Sequence, residues 1–204
     1  MARLNPVVAL ARVPENMTGW CKTVEIDTLG PMTVTCIANQ GHTVPHGLDG
    51  DVIFGLVAAY AFQGQPENRC VRLTLGQLCE YVGLAPGGTT YERIRSSLER
   101  LYKTDFHTES CWGVQRQGRW VWQSKSFHIV ENLSWQNEGD SAKSAKAFEA
   151  DTQVEVGLGR EIIQSIQMGH TRWVDLATYH RLSFPLVRLL YRLLEEQQAI
   201  SGGK

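Results

Sequence analysis

The chain has 204 residues, 43% of them hydrophobic, five cysteines and a formal net charge of −1 at pH 7. This composition supports a packed core in one or two domains, and no stretch resembles a membrane span. The odd number of scattered cysteines argues against a disulfide framework, and the start of the chain has no convincing secretory signal. The near-neutral charge excludes a protein that binds polyanions with its whole surface. We therefore expect a cytoplasmic protein without a membrane partner.

The first part of the chain, residues 1–45, is predicted to form a loosely held arm followed by a β-hairpin. Two stretches, TVEID and MTVTCIAN, alternate apolar and polar residues on either side of a Leu-Gly-Pro turn, as the strands of a hairpin do. The stretch from Val52 to Phe62 is apolar nearly all round and predicts a core helix, which Asp49 or Asp51 can cap. A short strand from Cys70 to Leu73 then leads into the central part of the chain.

Two short helices joined by a glycine-broken turn are predicted by the stretch TLGQLCEYVGLAPGGTTYERIRSSLERLYK. Thr74 and Gln77 have the spacing of a capping box, and Gly83 suits the left-handed position that ends a helix. The apolar face of this first helix consists of Leu75, Leu78, Cys79 and Val82. The second helix is predicted to open with another capping box, Thr89 with Glu92. Its apolar face consists of Tyr91, Ile94, Leu98, Leu101 and Tyr102.

The opposite face of the second helix carries hydroxyls and charges, which are Thr89, Glu92, Arg93, Ser96, Arg100 and Lys103. Such a helix suits the major groove of DNA, because arginine pairs bidentately with guanine and hydroxyls bond bases or phosphates. Arg95 projects nearer the apolar face, so we expect it to have an intramolecular partner. The opposed interpretation is an ordinary amphipathic surface helix.

Alternating residues after this helix predict a β-hairpin wing. Strands from Phe106 to Gln115 and from Trp120 to Val130 are joined at an Arg-Gln-Gly-Arg tip, which can reach phosphates or a minor groove. From Thr89 to Lys125 there are seven Lys and Arg residues against four Asp and Glu residues. A solvated hairpin tip is the alternative. The predicted DNA-binding residues are Thr89, Thr90, Arg93, Ser96, Arg100, Lys103, Arg116 and Arg119.

We predict an α+β fold. It is a winged helix, made of a helix–turn–helix and a β-hairpin wing, with an N-terminal β-hairpin and a C-terminal helical extension. The predicted parts are an N-terminal arm and β-hairpin over 1–45, a winged-helix DNA-binding domain over 46–136, a linker or mobile loop over 137–151, and the extension over 152–204. The extension ends in a helix with Pro185 near its start and an apolar face of Leu186, Leu189, Leu190, Leu193 and Leu194. This helix either packs back on the first domain or opens a second winged-helix domain.

Sequence motifs for catalysis or metal binding are not found. His42 and His46 have three residues between them and no matching carboxylate cluster, unlike the metal site of a nuclease. The segment GLAPGG lacks the Lys-Ser/Thr pair of a phosphate-binding loop, and the cysteines lack the close spacing of zinc ligands. We expect no enzyme activity, no cofactor and no metal.

Five motifs follow one another along nearly the whole chain: HGLDGDVIFGL, LTLGQLCEYVGL, GGTTYERIRSSLERLYKT, SFHIVENLSW and LGREIIQSIQMGHTRWVDLATYHRLSFPLVRLLYRLLEEQ. In this order and spacing they resemble bacterial plasmid replication initiators of the replication initiator protein A type. The resemblance implies a winged-helix protein that binds repeats of double-stranded origin DNA, helps to open the duplex and recruits host replication proteins. It also implies a homodimer. Initiators with two winged-helix domains often use one for dimerisation and phosphate contacts and the other for reading the repeats.

Two alternative functions stay open at this point. One is a winged-helix transcriptional regulator, which shares the DNA-binding surface and is separated from an initiator only by the family resemblance. The other is a winged-helix dimerisation module without base readout. Absence of DNA binding at low salt together with a stable dimer would indicate the dimerisation module.

Overall fold

A computed structural model describes residues 6–26, 30–116, 119–137, 148–168 and 174–201. In chain order the elements are β1 (Gly19–Ile26), β2 (Gly30–Ala38), α1 (Asp49–Phe62), β3 (Cys70–Thr74), α2 (Leu75–Val82), α3 (Gly88–Tyr102), β4 (Thr104–Arg116), β5 (Arg119–Phe127), β6 (Val130–Gln136), β7 (Gln153–Leu158), α4 (Arg160–Gln167), α5 (Leu176–Arg181) and α6 (Pro185–Ser201). The predicted α+β class is confirmed. The strands form two antiparallel sheets, one in the order β1-β2-β4-β5 and the other in the order β3-β7-β6.

The three-stranded sheet and the helices α1, α2 and α3 form one packed unit. Helix α1 packs on α2, α3 and β3, and α3 packs on β6. The central strand β7 pairs with β3 on one side, where Val71 faces Val156, and with β6 on the other, where Leu133 faces Val156. The sequence-based division places residues 152–204 in an extension, but β7 lies between β3 and β6 and is part of the same sheet.

The β4–β5 hairpin is present, but it is not a free two-stranded wing. Strand β4 also pairs with β2, so the hairpin completes a four-stranded sheet with the N-terminal hairpin. On the buried face of this sheet Cys36 lies opposite Phe106, whose ring stacks on Phe127 at 5.7 Å between centroids. The predicted second strand, Trp120 to Val130, is divided after Phe127, because β6 begins at Val130 and joins the other sheet.

Helix α2 follows the sequence prediction closely. The Gln77 amide N–H donates to Thr74 Oγ1 at 3.1 Å and the Thr74 N–H donates to Gln77 Oε1 at 2.9 Å, which is a complete capping box. The helix ends at Gly83 with φ +75°, and its predicted apolar residues are buried. These contacts fix where α2 stops and the turn to α3 begins.

Helix α3 differs from its prediction at both ends. It begins at Gly88 with Gly87 as the capping residue and without a side-chain cap, so the predicted Thr89–Glu92 capping box is wrong. Its apolar face is buried as predicted except for Tyr102, which is 37% exposed. The helix starts two residues earlier because the flexible Gly87-Gly88 pair can enter it directly, which places Thr89 inside the first turn instead of at the cap.

The N-terminal arm is more firmly held than predicted. Val7 is buried, the Val8 amide donates to Pro45 O at 2.9 Å, and the Val44 amide donates to Met17 O at 3.0 Å. At the other end of the chain α5 and α6 return to α1, where the Tyr179 ring stacks on Phe54 at 4.8 Å. Helix α6 contacts α1 through the ion pair between Arg188 and Asp51.

Substituting Gly83 by alanine is expected to lower the free energy of unfolding by about 1–3 kcal/mol, because an L-residue is strained at a left-handed φ. A Cβ there would also lie 2.4 Å from the His180 ring. Urea denaturation measures the change. The control is Gly88→Ala, where a Cβ meets nothing within 4 Å, and an equal stability of the two variants would contradict the assignment.

Candidate nucleic-acid interface

The polar face of α3 lines a groove with a volume of about 560 Å³. Thr89, Glu92, Arg93, Ser96 and Arg100 form the α3 side of this groove. The opposite wall consists of Ser183, Phe184, Pro185 and Arg188, around the start of α6. The loop before α1, from His46 to Leu48, and Asp51 also line the groove. The structure thus brings together four of the predicted DNA-binding residues, which are Thr89, Arg93, Ser96 and Arg100.

Arg93 is the cation of the groove with the greatest freedom to bind a ligand. Its side chain is exposed and makes no hydrogen bond or ion pair with any residue that the structure describes. Thr89 and Ser96, which lie within a turn of it on α3, are exposed as well. One uncompensated guanidinium flanked by two hydroxyls can bind a phosphate or the edge of a guanine base.

Thr90 and Lys103 lie outside the groove lining. Thr90 is half-buried. Lys103 is the residue that ends α3, and its ammonium stands 5.0 Å from the centroid of the Tyr102 ring. Lys103 is exposed, so it remains available to a phosphate beyond the end of the groove.

Arg100 is not the exposed residue that the helical wheel predicts. Its guanidinium donates to both carboxylate oxygens of Asp49, from Nε to Oδ2 at 2.9 Å and from Nη2 to Oδ1 at 2.8 Å. The Arg100 side chain is 21% exposed and that of Asp49 is 0% exposed. A buried carboxylate requires a paired cation, and the two donors that could read a guanine are therefore engaged within the protein.

A second aspartate at the start of α1 has two partners from the C-terminal helices. The Tyr179 hydroxyl donates to Asp51 Oδ1 at 2.6 Å, and Arg188 Nη1 donates to Asp51 Oδ2 at 2.5 Å. Burial raises the pKa of Tyr179, so its hydroxyl stays protonated and keeps donating at neutral pH. Asp49 and Asp51 were predicted as helix caps. The structure gives α1 no side-chain cap and uses both carboxylates for tertiary ion pairs instead.

These partners cannot be read from a single helix, because each pair joins two helices that are distant in the sequence. Asp51 and Arg188 are separated by 137 positions, and Asp49 and Arg100 by 51. One signal was available: two carboxylates precede a helix that is apolar nearly all round, and charges beside a buried helix are expected to be paired.

The hairpin arginines lie at a separate place from the groove. Arg116 and Arg119 are paired across the end of the hairpin, and Arg119 is exposed, whereas the side chain of Arg116 and residues 117–118 lie outside the described part of the structure. The eleven residues of β4 from Phe106 to Arg116 span about 33 Å at the usual rise of a strand. A ligand that contacts Arg93 and Arg119 together must therefore be extended.

Arg95 has the intramolecular partners that the sequence predicts. Its Nε donates to Glu99 Oε1 at 2.9 Å, and its guanidinium lies 4.7 Å from the centroid of the Phe148 ring. The Trp135 ring packs edge-on against the Phe148 ring at 5.6 Å. This cluster joins α3 to β6 and to the residues that precede β7, so Arg95 supports the position of α3 on the sheet.

The part of the chain that the structure describes contains neither a metal-binding cluster nor a helix that could span a membrane. Among the described residues, no group of three or more His, Cys, Asp and Glu side chains is arranged to hold a metal ion. Burial raises the pKa of the Cys36 thiol to about 12, so that thiol is protonated at neutral pH. The described helices include none that is both long and apolar enough to cross a membrane.

The protein belongs to the α+β class. It has two antiparallel sheets, and a tight turn joins the short helix α2 to the longer helix α3. The family model of Replication initiator protein A matches residues 6–200, and the chain belongs to that family. This membership supports a role in the initiation of replication. No curated protein matches the chain.

Two solved structures, both of domains 2 and 3 of RctB, have a similar fold. The crystal structure of RctB 155–483 has a TM-score of 0.67 at 14% sequence identity, with 98% of this chain and 70% of that chain covered. A selenomethionine derivative of the two domains has a TM-score of 0.66 at 12% identity, with 95% of this chain and 68% of that chain covered.

Replacing Arg100 by alanine is expected to reduce the free energy of unfolding by about 3–5 kcal/mol, because Asp49 would remain buried without its cation. The change is measured by chemical denaturation at neutral pH. Arg93→Ala on the same helix is the control and should alter stability by less than about 0.5 kcal/mol. The double variant Asp49→Leu/Arg100→Leu should recover most of the loss, and equal losses from both single variants would refute the structural role of Arg100.

Proposed function

We propose that this protein is a winged-helix replication initiator that binds double-stranded DNA repeats at a plasmid origin, with α3 as the helix that enters the major groove. The observation that carries this proposal is the exposed guanidinium of Arg93, which has no partner among the described residues and lies between the hydroxyls of Thr89 and Ser96, in a chain of the Replication initiator protein A family. Opening of the origin, recruitment of host replication proteins, homodimer formation and a cytoplasmic location are proposed from the family resemblance.

The connectivity of the three-stranded sheet supports the winged-helix assignment. A winged helix has the order helix, strand, helix, helix, strand, strand, and its first strand pairs with its last. Here α1, β3, α2, α3, β6 and β7 follow in that order, and β3 pairs with β7. In this arrangement the β4–β5 hairpin is an insertion between α3 and β6, and the position of a wing falls at the connection from β6 to β7.

The charges of α3 favour a nucleic acid over an apolar partner. Arg93 and Lys103 are exposed cations, whereas Arg95 and Arg100 are paired within the protein. The Glu92 carboxylate lies 3.8 Å from Arg95, which reduces its repulsion of a nearby phosphate. With two free cations on the helix, phosphate contacts supply part of the affinity and Arg93 supplies the base or phosphate contact at the centre of the face.

Removing the Arg93 side chain is expected to weaken binding to origin DNA by about 1–3 kcal/mol, the value of one good bidentate contact. The variant Arg93→Ala is compared with the wild type by fluorescence anisotropy at one fixed salt concentration. The control is Arg72→Ala on β3, because Arg72 is an exposed arginine that pairs with Glu155 away from the groove. Equal affinities of Arg93→Ala and the wild type would show that α3 does not bind DNA in this way.

Arg119 provides an independent test of the hairpin. If its guanidinium contacts a phosphate, Arg119→Ala should reduce the slope of log affinity against log salt by about one, because one fewer counterion is released. The slope is measured over a salt titration beside Arg72→Ala, which should leave it unchanged. An unaltered slope for Arg119→Ala would remove the hairpin from the interface while leaving the role of α3 intact.

A further inference from the structure

The C-terminal helices α5 and α6, within residues 174–201, form a strap that returns to the helix–turn–helix. The strap contacts α1 through Tyr179 and Arg188, and its His180 contacts the end of α2 at Tyr81 and Gly83. It then supplies the wall of the groove that faces the polar side of α3. The strap therefore lies beside the surface for which a DNA-binding role is proposed above.

The first contact that holds the strap is made by the buried carboxylate of Asp51. It accepts a hydrogen bond from the Tyr179 hydroxyl at 2.6 Å and an ion-paired bond from Arg188, whose side chain is 12% exposed. The Arg188 guanidinium also lies 5.4 Å from the centroid of the Tyr179 ring. An ion pair that is shielded from water and shares a third hydrogen-bonded partner holds the three side chains in one arrangement.

The second contact that holds the strap lies at the turn between α2 and α3. The His180 ring packs on Gly83 so closely that a Cβ there would be 2.4 Å from the ring, and His180 Nε2 stands 3.3 Å from Tyr81 O. The glycine at this turn is thus required by its backbone conformation and also by the approach of α5. A contact with this turn ties the strap directly to the segment that sets the position of α3.

The outer face of the strap contributes little to this attachment. Phe184 is 68% exposed and Leu194 is 61% exposed, and Leu186 and Leu190 are exposed on the same helix. Apolar side chains that stay in water give no stabilisation by burial. The strap is therefore held from its inner side, by the Tyr179 ring stacked on Phe54 and by the polar contacts of Asp51 and His180.

The wall that the strap supplies competes with a DNA duplex. A helix in the major groove, which is about 12 Å wide, is flanked by sugar-phosphate backbone on both sides. In this structure Ser183, Phe184 and Pro185 line the same groove as Arg93 and Ser96. The start of α6 therefore borders the space that a DNA backbone beside α3 would need.

We propose that the strap is an autoinhibitory element that restricts the access of duplex DNA to α3. This inference rests on the proposed function. Strap opening at α1 and at the turn exposes both sides of the polar face, and the measured affinity is then the intrinsic affinity multiplied by the fraction of molecules that are open. Any interaction that favours the open strap favours DNA binding by the same free energy.

The test combines DNA affinity with amide hydrogen exchange in the full chain. Arg188→Ala removes the ion pair with Asp51. It is expected to raise amide hydrogen exchange within residues 174–201, while the amides of α2 and α3 keep their protection from exchange. Affinity for duplex origin DNA should rise by about threefold or more as the open fraction grows. Loss of a positive charge beside DNA would by itself weaken binding, so tighter binding reports access. His180→Ala weakens the contact with the turn between α2 and α3. It replaces Arg188→Ala as the test variant if Arg188→Ala does not fold.

Arg181→Ala is the matched control, because Arg181 is an exposed arginine of α5 outside the groove lining. It should change neither exchange nor affinity. Raised exchange with unchanged or weaker binding overturns the strap proposal, and so does unaltered exchange in both loosened variants. In either case a weakened Arg93→Ala variant leaves the proposed function standing. If neither the wild type nor the loosened variants bind duplex DNA, both proposals fail.

Discussion

The structure depends on two carboxylates that are buried at the first turn of α1. Asp49 and Asp51 lie where a helix N-terminus favours negative charge, but burial still requires each of them to have a cationic partner. Arg100 reaches Asp49 from α3, and Arg188 reaches Asp51 from α6. One turn of a core helix thereby sets the position of the candidate DNA-binding helix and of the strap beside it. The start of α1 is consequently the point at which the two sides of the groove are coupled.

The polar face of α3 is divided between structural and ligand-binding roles. Toward its C-terminal end Arg100 is part of the domain, whereas Arg93, two turns earlier, faces the groove without a partner among the described residues. Arg95 is directed to the other side and packs against Phe148. The three arginines are close in sequence and alike in chemistry, but their neighbours assign them to three different tasks. A count of positive charges on this helix overstates the charge that a ligand meets.

Local patterns in the sequence predicted the helices and most strands, because periodicity, capping residues and glycine act over a few positions. The α2 capping box, the left-handed Gly83 and the buried face of α3 are of this kind. Long-range partners were not predicted: β7 was assigned to an extension although it pairs with β3, and Arg100 was placed in solvent although Asp49 binds it. The residues beside β7 or Asp49 in the sequence do not identify the distant partner that each one contacts. The groove was missed for the same reason, since its second wall comes from α6.

The central position of β7 has a consequence for how the chain folds. Its partner β3 precedes it by about 80 residues, as the bond between Arg72 and Glu155 shows with a separation of 83 positions. During synthesis, α1, α2 and α3 leave the ribosome well before the strand that closes their sheet. The core side of β3 then lacks its neighbour until β7 emerges, and closing so long a loop is entropically slow. The unit of α1, α2 and α3 is thus synthesised early but completed late.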